Sequence, residues 1–250
     1  MSRITASILI IGNEILSGRT QDINIQFIAK NLLKTGIILK EVRIVADVKE
    51  EIINNLNKLR NSYNYVFTTG GIGPTHDDIT SESVSSAFGR KHLINDEAYK
   101  LLENHYPKGE LNEGRIKMTK MPEGSKLIHN PLTIAPGFTI ENVYVLPGIP
   151  KIMQIMFLSI LNTLNSSDPI ISETINTNLY ESIIAKDLEN IQKNSADCEI
   201  GSYPHFDFQK KIGGVNIVIS GINKISIDKV VDEIILTIKK LGGNARVTAK

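Results

Sequence analysis

Apolar runs alternate with amphipathic runs along the first two thirds of the chain. Residues 4–11 are apolar apart from Thr5 and Ser7 and predict a buried strand. Residues 24–34 place Ile25, Ile28, Ala29 and Leu32 at helical spacing, and Gly36 stands where helices often close. A second strand is predicted over 37–45 and a second helix over 49–59, with Ile52, Ile53 and Leu56 inward. A third strand, 65–68, overlaps the aromatic-rich run 63–67. A glycine-rich turn then leads to helix-compatible residues 81–88. This alternation predicts a parallel sheet with helices on both faces, where ligands sit beyond the carboxyl ends of the strands.

A helix over 96–106 and a long polar connection over 107–114 follow. Short strands are predicted at 126–130, 137–140 and 143–146, then a helix at 152–164. Asn165-Ser166-Ser167-Asp168-Pro169 is a linker signal. Beyond it come a strand over 170–176, a helix over 181–192 and a strand through Ile200. One or two antiparallel strands reach Ser220, with a turn at Gly213-Gly214. A helix over 227–240 and a short last strand complete a small α+β unit of split β-α-β character. The expected domains are therefore 1–165 and 170–250.

Composition narrows the function classes. The formal net charge of +1, without a long basic run, argues for no nucleic-acid partner. No apolar stretch approaches the roughly 18 residues of a membrane span. Residues 153–164 read instead as a core-packed helix. The first eleven residues lack the length of a secretory segment. Cys198 is the only cysteine, so no intrachain disulfide and no multi-cysteine zinc site can form. A cytoplasmic protein with no membrane partner is expected.

The chemistry concentrates in Thr68-Thr69-Gly70-Gly71-Ile72-Gly73-Pro74-Thr75-His76-Asp77-Asp78-Ile79-Thr80. Gly70, Gly71 and Gly73 allow close backbone approach, and free amides there can hold a phosphate. Thr75 can add a hydroxyl, and Pro74 stiffens the loop. Asp77 and Asp78 can hold a divalent cation against the phosphate. The competing structural reading makes one Asp a helix cap, with Glu82 in a capping box, and leaves the other Asp without a role. Asp47 reads as a helix cap for residues 49–59. Glu14, just after a buried strand, needs an amide, a cation or a ligand. Asn24 is a cap or a ligand contact. Tyr203-Pro204 reads as a rigid turn between domains, and Lys210-Lys211 as a solvated face.

The string 70–80 closely resembles the signature of the MoaB/Mog molybdopterin-binding superfamily, and within it the CinA N-terminal family. Gly12-Asn13-Glu14 with Asp22-Ile23-Asn24, Val45-Ala46-Asp47, Ala135-Pro136-Gly137-Phe138 and Leu146-Pro147-Gly148-Ile149-Pro150 resemble its other motifs. Tyr180-Glu181-Ser182 and Ile200-Gly201-Ser202-Tyr203-Pro204 resemble the small domain of CinA proteins and of some eukaryotic FAD synthases. The resemblance implies a three-layer α/β/α, mostly parallel sheet plus a smaller α+β domain. It gives Asp78, followed by Thr80, the leading catalytic place, with Asp47 as a second acid and Asp77 as a further metal ligand. Asn130, Pro136, Gly137, Pro147 and Gly148 would face the ligand. His76 is discounted, because family members also carry proline there. Thr133-Ile134 and Lys151-Ile152 depart from the usual Gly-Thr and Ser-Glu.

The implied function is a nucleotide pyrophosphatase of the ADP-ribose or FAD type, dependent on Mg²⁺, Mn²⁺ or Co²⁺. The alternatives are a molybdopterin-binding protein of molybdenum cofactor metabolism and a non-catalytic nucleotide-binding module. The partner would be a phosphorylated small molecule, nucleotide or pterin, and a homo-oligomer is implied by analogy. The deamidase domain of longer CinA proteins has no room before Lys250, so that activity is not expected.

Overall fold

The structure, a computed structural model, describes residues 3–209 and 212–248. The chain forms two compact units, Met1–Ser167 and Asp168–Lys250. In chain order the first unit contains β1 (Thr5–Ile11), α1 (Asn13–Leu16), α2 (Asn24–Lys34), β2 (Ile38–Val45), α3 (Lys49–Ser62), β3 (Tyr65–Thr69) and α4 (Thr80–Ala87). It continues through β4 (His92–Ile94), α5 (Asp96–His105), α6 (Glu113–Lys117), β5 (Lys120–Pro122), β6 (Lys126–Ile128), β7 (Gly137–Ile140), β8 (Val143–Leu146) and α7 (Pro150–Leu161).

Its main sheet runs β2-β1-β3-β8-β7-β6. The first four strands are mutually parallel; β7 pairs antiparallel with β8, and β6 pairs antiparallel with β7. Along β1 the side chains alternate between two buried layers. Ile8 and Ile10 pack with Phe67, Ile28 and Leu32 of α2, and Met153 and Phe157 of α7. Leu9 and Ile11 pack with Val66, Ile52, Leu56 and Leu59 of α3, and Val84 of α4. Burial on both faces explains why this strand is almost continuously apolar.

Four elements escape the sequence pattern, the first of them the four-residue α1. β4 and β5 form a separate two-stranded antiparallel ribbon, each strand only three residues long. That is too short for period-two alternation to emerge. α6 begins at Glu113, inside the connection predicted over 107–114; Asn112 caps it by accepting from Arg115 N at 3.0 Å.

The second unit runs β9 (Ile171–Thr177), α8 (Glu181–Asn194), β10 (Cys198–Asp207), β11 (Ile212–Gly221), α9 (Lys224–Lys240) and β12 (Ala245–Thr248). Its sheet is fully antiparallel in the order β10-β11-β9-β12, the split β-α-β arrangement. The turn expected at Gly213-Gly214 is not there. Both glycines lie inside β11, paired with Phe206 and His205. Tyr203-Pro204 is likewise not a turn but part of β10. An edge strand tolerates a proline because one side needs no N–H donor. Lys210-Lys211 lie outside the described residues.

Candidate functional site

Register brings the carboxyl ends of four parallel strands to one edge. Ile11 aligns with Val45, Ile10 with Thr69, and Thr69 with Leu146. The loops beyond them are stitched together by Gly12 N donating to Val45 O and Gly70 N donating to Leu146 O, both at 3.2 Å. Gly70 sits at φ +100, and a Cβ there would lie 2.1 Å from Ile11 O. Gly71, at φ +67, would put a Cβ 2.2 Å from Thr80 Oγ1. Only glycine allows this packing. The next three amides, Gly71, Ile72 and Gly73, have no acceptor among the described residues.

Thr80 does not reach the ligand side of this loop. It is fully buried; its hydroxyl donates to Gly70 O at 3.0 Å, and its amide donates to Gly71 O at 3.0 Å. It supports the loop from below.

Neither Asp77 nor Asp78 caps α4, whose N-cap is Ile79 without a side-chain bond. Glu82 forms no capping box; it pairs with Lys49 Nζ at 2.5 Å. Instead both carboxylates turn to Thr75. Its Oγ1 lies 2.6 Å from Asp77 Oδ1 and 2.5 Å from Asp78 Oδ2, and its amide donates to Asp78 Oδ2 at 2.8 Å. A single hydroxyl hydrogen cannot serve both carboxylates, so the three oxygens form a concentrated negative site. The Thr75 hydroxyl, with a backbone amide, holds the Asp77 carboxyl below its ordinary range; the nearby positive charges of His76 and Lys117 act more weakly in the same direction. Lys117 Nζ also donates to Thr75 O.

Asp47 does not cap α3, which begins after Val48 without a side-chain cap. Its Oδ2 accepts from Asn13 N at 2.9 Å and so ties the β2 loop to the β1 loop. Glu14 is exposed, so water relieves the desolvation expected of it. Its carboxylate folds over Gly12, where a Cβ would lie 2.6 Å from either oxygen. Asn24 is 3% exposed and is not a cap. Asp22 Oδ1 accepts from Ile25 N at 2.8 Å instead. Asn24 Nδ2 donates to Gly148 O at 3.0 Å, and its Oδ1 has no partner among the described residues.

Asn130 is committed to its own loop. Its Oδ1 accepts from Leu132 N and Thr133 N, and its Nδ2 donates to Thr133 Oγ1 and Ala135 O. It shapes the approach to Pro136 and Gly137 without a free group for a ligand. Gly137 is buried, and a Cβ there would meet Val145 O at 2.3 Å. Pro147 is half-buried and Gly148 exposed at the rim.

A cavity of about 110 Å³ opens beside Asp78 and Gly73, with Pro136, His92, Lys117 and Lys120 in its wall. The last three carry no sequence signal, because β4, α6 and β5 deliver them from outside any motif. Burial pushes the His92 imidazole below its ordinary value, which favours its neutral form. Ser81 donates to Lys120 O at 2.7 Å, so at 3.2 Å it can only accept from His92 Nε2. Among the described residues no group of three His, Cys, Asp or Glu side chains could hold a metal ion by itself.

Residues 7–166 match the family described as "Probable molybdopterin binding domain". The chain belongs to this MoaB/Mog-type family. Residues 169–242 match a second family, "FAD synthase, middle domain". A protein from Archaeoglobus fulgidus is 35% identical over 227 residues, covering 90% of this chain and 94% of its own length. A "CinA-like protein" from Sulfurihydrogenibium is 37% identical over 65% of this chain and 43% of its own. A "Probable FAD synthase" from Caenorhabditis elegans is 32% identical over 81% of this chain and 44% of its own. The chain thus spans less than half the length of these last two. The crystal structure of the protein CinA from Thermoplasma acidophilum superimposes with a TM-score of 0.61. It is 32% identical and covers 64% of this chain and 98% of its own.

Ile134 adopts φ 63, a left-handed conformation that a β-branched residue avoids. No helix among the described residues is long and apolar enough to cross a membrane.

Proposed function

We propose that the first unit hydrolyses the pyrophosphate of a dinucleotide such as ADP-ribose or FAD. The observation carrying this reading is the run of three amides at Gly71, Ile72 and Gly73 that have no acceptor among the described residues, with Asp78 so close that a Cβ on Gly73 would lie 2.7 Å from its Oδ2. Unpaired consecutive amides attract phosphate oxygens. The neighbouring donor set of Thr75, Asp77 and Asp78 is all oxygen, which fits Mg²⁺, Mn²⁺ or Co²⁺. Two carboxylates underfill such a cation, so phosphate oxygens and water would complete its shell. When bound, the cation neutralises phosphate charge and polarises a phosphoryl oxygen. The amides hold the phosphates, and the cluster of Thr75, Asp77 and Asp78 orients the reacting end. Water adds to one phosphorus, and the bridging oxygen leaves with the other phosphate. ADP-ribose would give AMP and ribose 5-phosphate, and FAD would give AMP and FMN.

Purified protein incubated with each dinucleotide and each metal, with products resolved by chromatography, tests this. Cleavage is expected with wild type, and a loss of at least about a hundredfold with Asp78→Ala. Equal cleavage by Asp78→Ala, or none from folded wild type under any metal, would overturn it.

The family description favours a second reading, molybdopterin binding at the same cradle. Pterin binding by protein that cleaves no dinucleotide would select it. Binding of a nucleotide without turnover would select a non-catalytic module.

A further inference from the structure

The open face of the second unit's sheet carries one polar or aromatic side chain from each strand in a single row. Tyr203 of β10 pairs with Asn216 of β11, Asn216 with Asn176 of β9, and Asn176 with Arg246 of β12. Strand alternation puts these opposite Val215, Ile217 and Ile219, which are buried in the core shared with α8 and α9. Three strand spacings of about 4.8 Å make the row about 14 Å long, close to the reach of an extended mononucleotide.

Each position offers a different chemistry. Tyr203 is 59% exposed. A Cβ on Gly201 would lie 3.0 Å from its Cε2 and Oη, so the ring leans along the strand over that glycine. It forms a stacking platform that any side chain at position 201 would tilt. Asn176 Nδ2 uses both hydrogens, toward His205 Nε2 at 2.8 Å and Asn216 Oδ1 at 2.9 Å. Asn176 Oδ1 and Asn216 Nδ2 are left without partners among the described residues, an acceptor beside a donor. Arg246, at the far end, forms no ion pair among the described residues. The carboxylates of β10 on this face, Glu199 and Asp207, stand at its two ends, away from the row.

We propose that this row is a mononucleotide-binding site. The base stacks on Tyr203, the ribose hydroxyls meet Asn216 and Asn176, and the phosphate pairs with Arg246. The order of chemistries along the row matches base, sugar and phosphate in turn. Aromatic stacking and a guanidinium–phosphate contact are the two strongest terms available to it. The site uses no residue of the Gly70 loop.

Two-dimensional ¹⁵N spectra of the full chain, titrated with AMP, test the assignment. Shifts are expected at residues 174–177, 201–205, 214–218 and 245–248. Resonances of Gly70, Gly71 and Gly73 report separately on the first unit. Tyr203→Ala and Arg246→Gln should each weaken binding at the sheet by about tenfold or more. Tyr203→Phe should retain it, which separates stacking from misfolding. Adenosine should bind wild type and Arg246→Gln alike. The proposal is overturned if AMP at millimolar concentration shifts nothing on this sheet. Shifts unchanged by both weakening variants, or shifts with a short oligoadenylate but not with AMP, would also overturn it. The last outcome would mark an RNA surface.

Discussion

At the scale of single residues, the candidate site depends on where a Cβ can and cannot exist. Gly18 and Gly70 both have positive φ, at +70 and +100, but Gly18 faces open space and Gly70 faces Ile11 O. Gly18→Ala therefore bears only the conformational penalty, about 1 kcal/mol. Gly70→Ala adds a collision with backbone that cannot swing away, and should cost about 3 kcal/mol or more. Urea unfolding followed on the first unit compares them; equal losses would refute the packing account. The glycine string was legible at this scale because positive φ and close approach both demand that residue type. The partners of Thr80, Asn130 and Asn24 were not, because threonine and asparagine serve a ligand and a backbone carbonyl equally well. Only the distances to Gly70 O, Ala135 O and Gly148 O decide between these uses.

At the scale of elements, β2 and α3 are joined by a polar network outside the site. Arg43 Nε meets Glu41 Oε1 at 2.6 Å, Arg43 Nη1 donates to Asn55 Oδ1 at 2.8 Å, and the Tyr63 hydroxyl donates to Glu41 Oε2 at 2.8 Å. Arg43, then Tyr63, hold the Glu41 carboxyl below its ordinary value. Glu41 in turn raises the Tyr63 phenol. The signs oppose one another. Glu41 stabilises the fold above the unfolded carboxylate pKa, and its contribution is lost as pH falls through the lowered folded value. Tyr63 contributes fully below the unfolded phenol pKa, and that contribution is lost as pH rises through the raised folded value. Both groups are partly solvent-accessible, so each limb is worth under about 1 kcal/mol. Thermal midpoints measured against pH should fall at both ends, and Glu41→Gln should flatten both falls. A variant that keeps either limb unchanged would show that the network does not carry it. Elements with long periodic faces were predictable here. β4, β5 and α6 were not, since three to five residues contain no full repeat, and they bring His92, Lys117 and Lys120 to the cavity.

At the scale of the whole molecule, each unit has a core of its own. Phe157 is fully buried against Phe27 and Phe67, with ring centroids 6.3 and 5.1 Å away. Phe157→Ala should destabilise the first unit by about 3–5 kcal/mol. Cys198 is buried in the other core, and burial pushes its thiol above the ordinary value, so it reacts slowly with disulfide reagents while that unit is folded. Its labelling rate reports on the second unit alone. Phe157→Ala should accelerate hydrogen exchange in the first unit and leave Cys198 labelling unchanged. Faster labelling would mean that the cores unfold together.

The sequence alone determined the parallel α/β frame, the smaller antiparallel unit and the loop that concentrates glycine and carboxylate. Hydrophobic period, turn residues and a long specific string are local properties, and a chain carries local properties in order. Tertiary structure decided the rest. It turned Asp77 and Asp78 onto Thr75 and away from the helix end, Asp47 onto Asn13, and Glu82 onto Lys49. It also set Tyr203, Asn216, Asn176 and Arg246 side by side from four separate strands. Those choices depend on which backbone groups and strands meet across tens of residues. Side-chain chemistry permits several partners for each of these residues, and only the packed fold selects one.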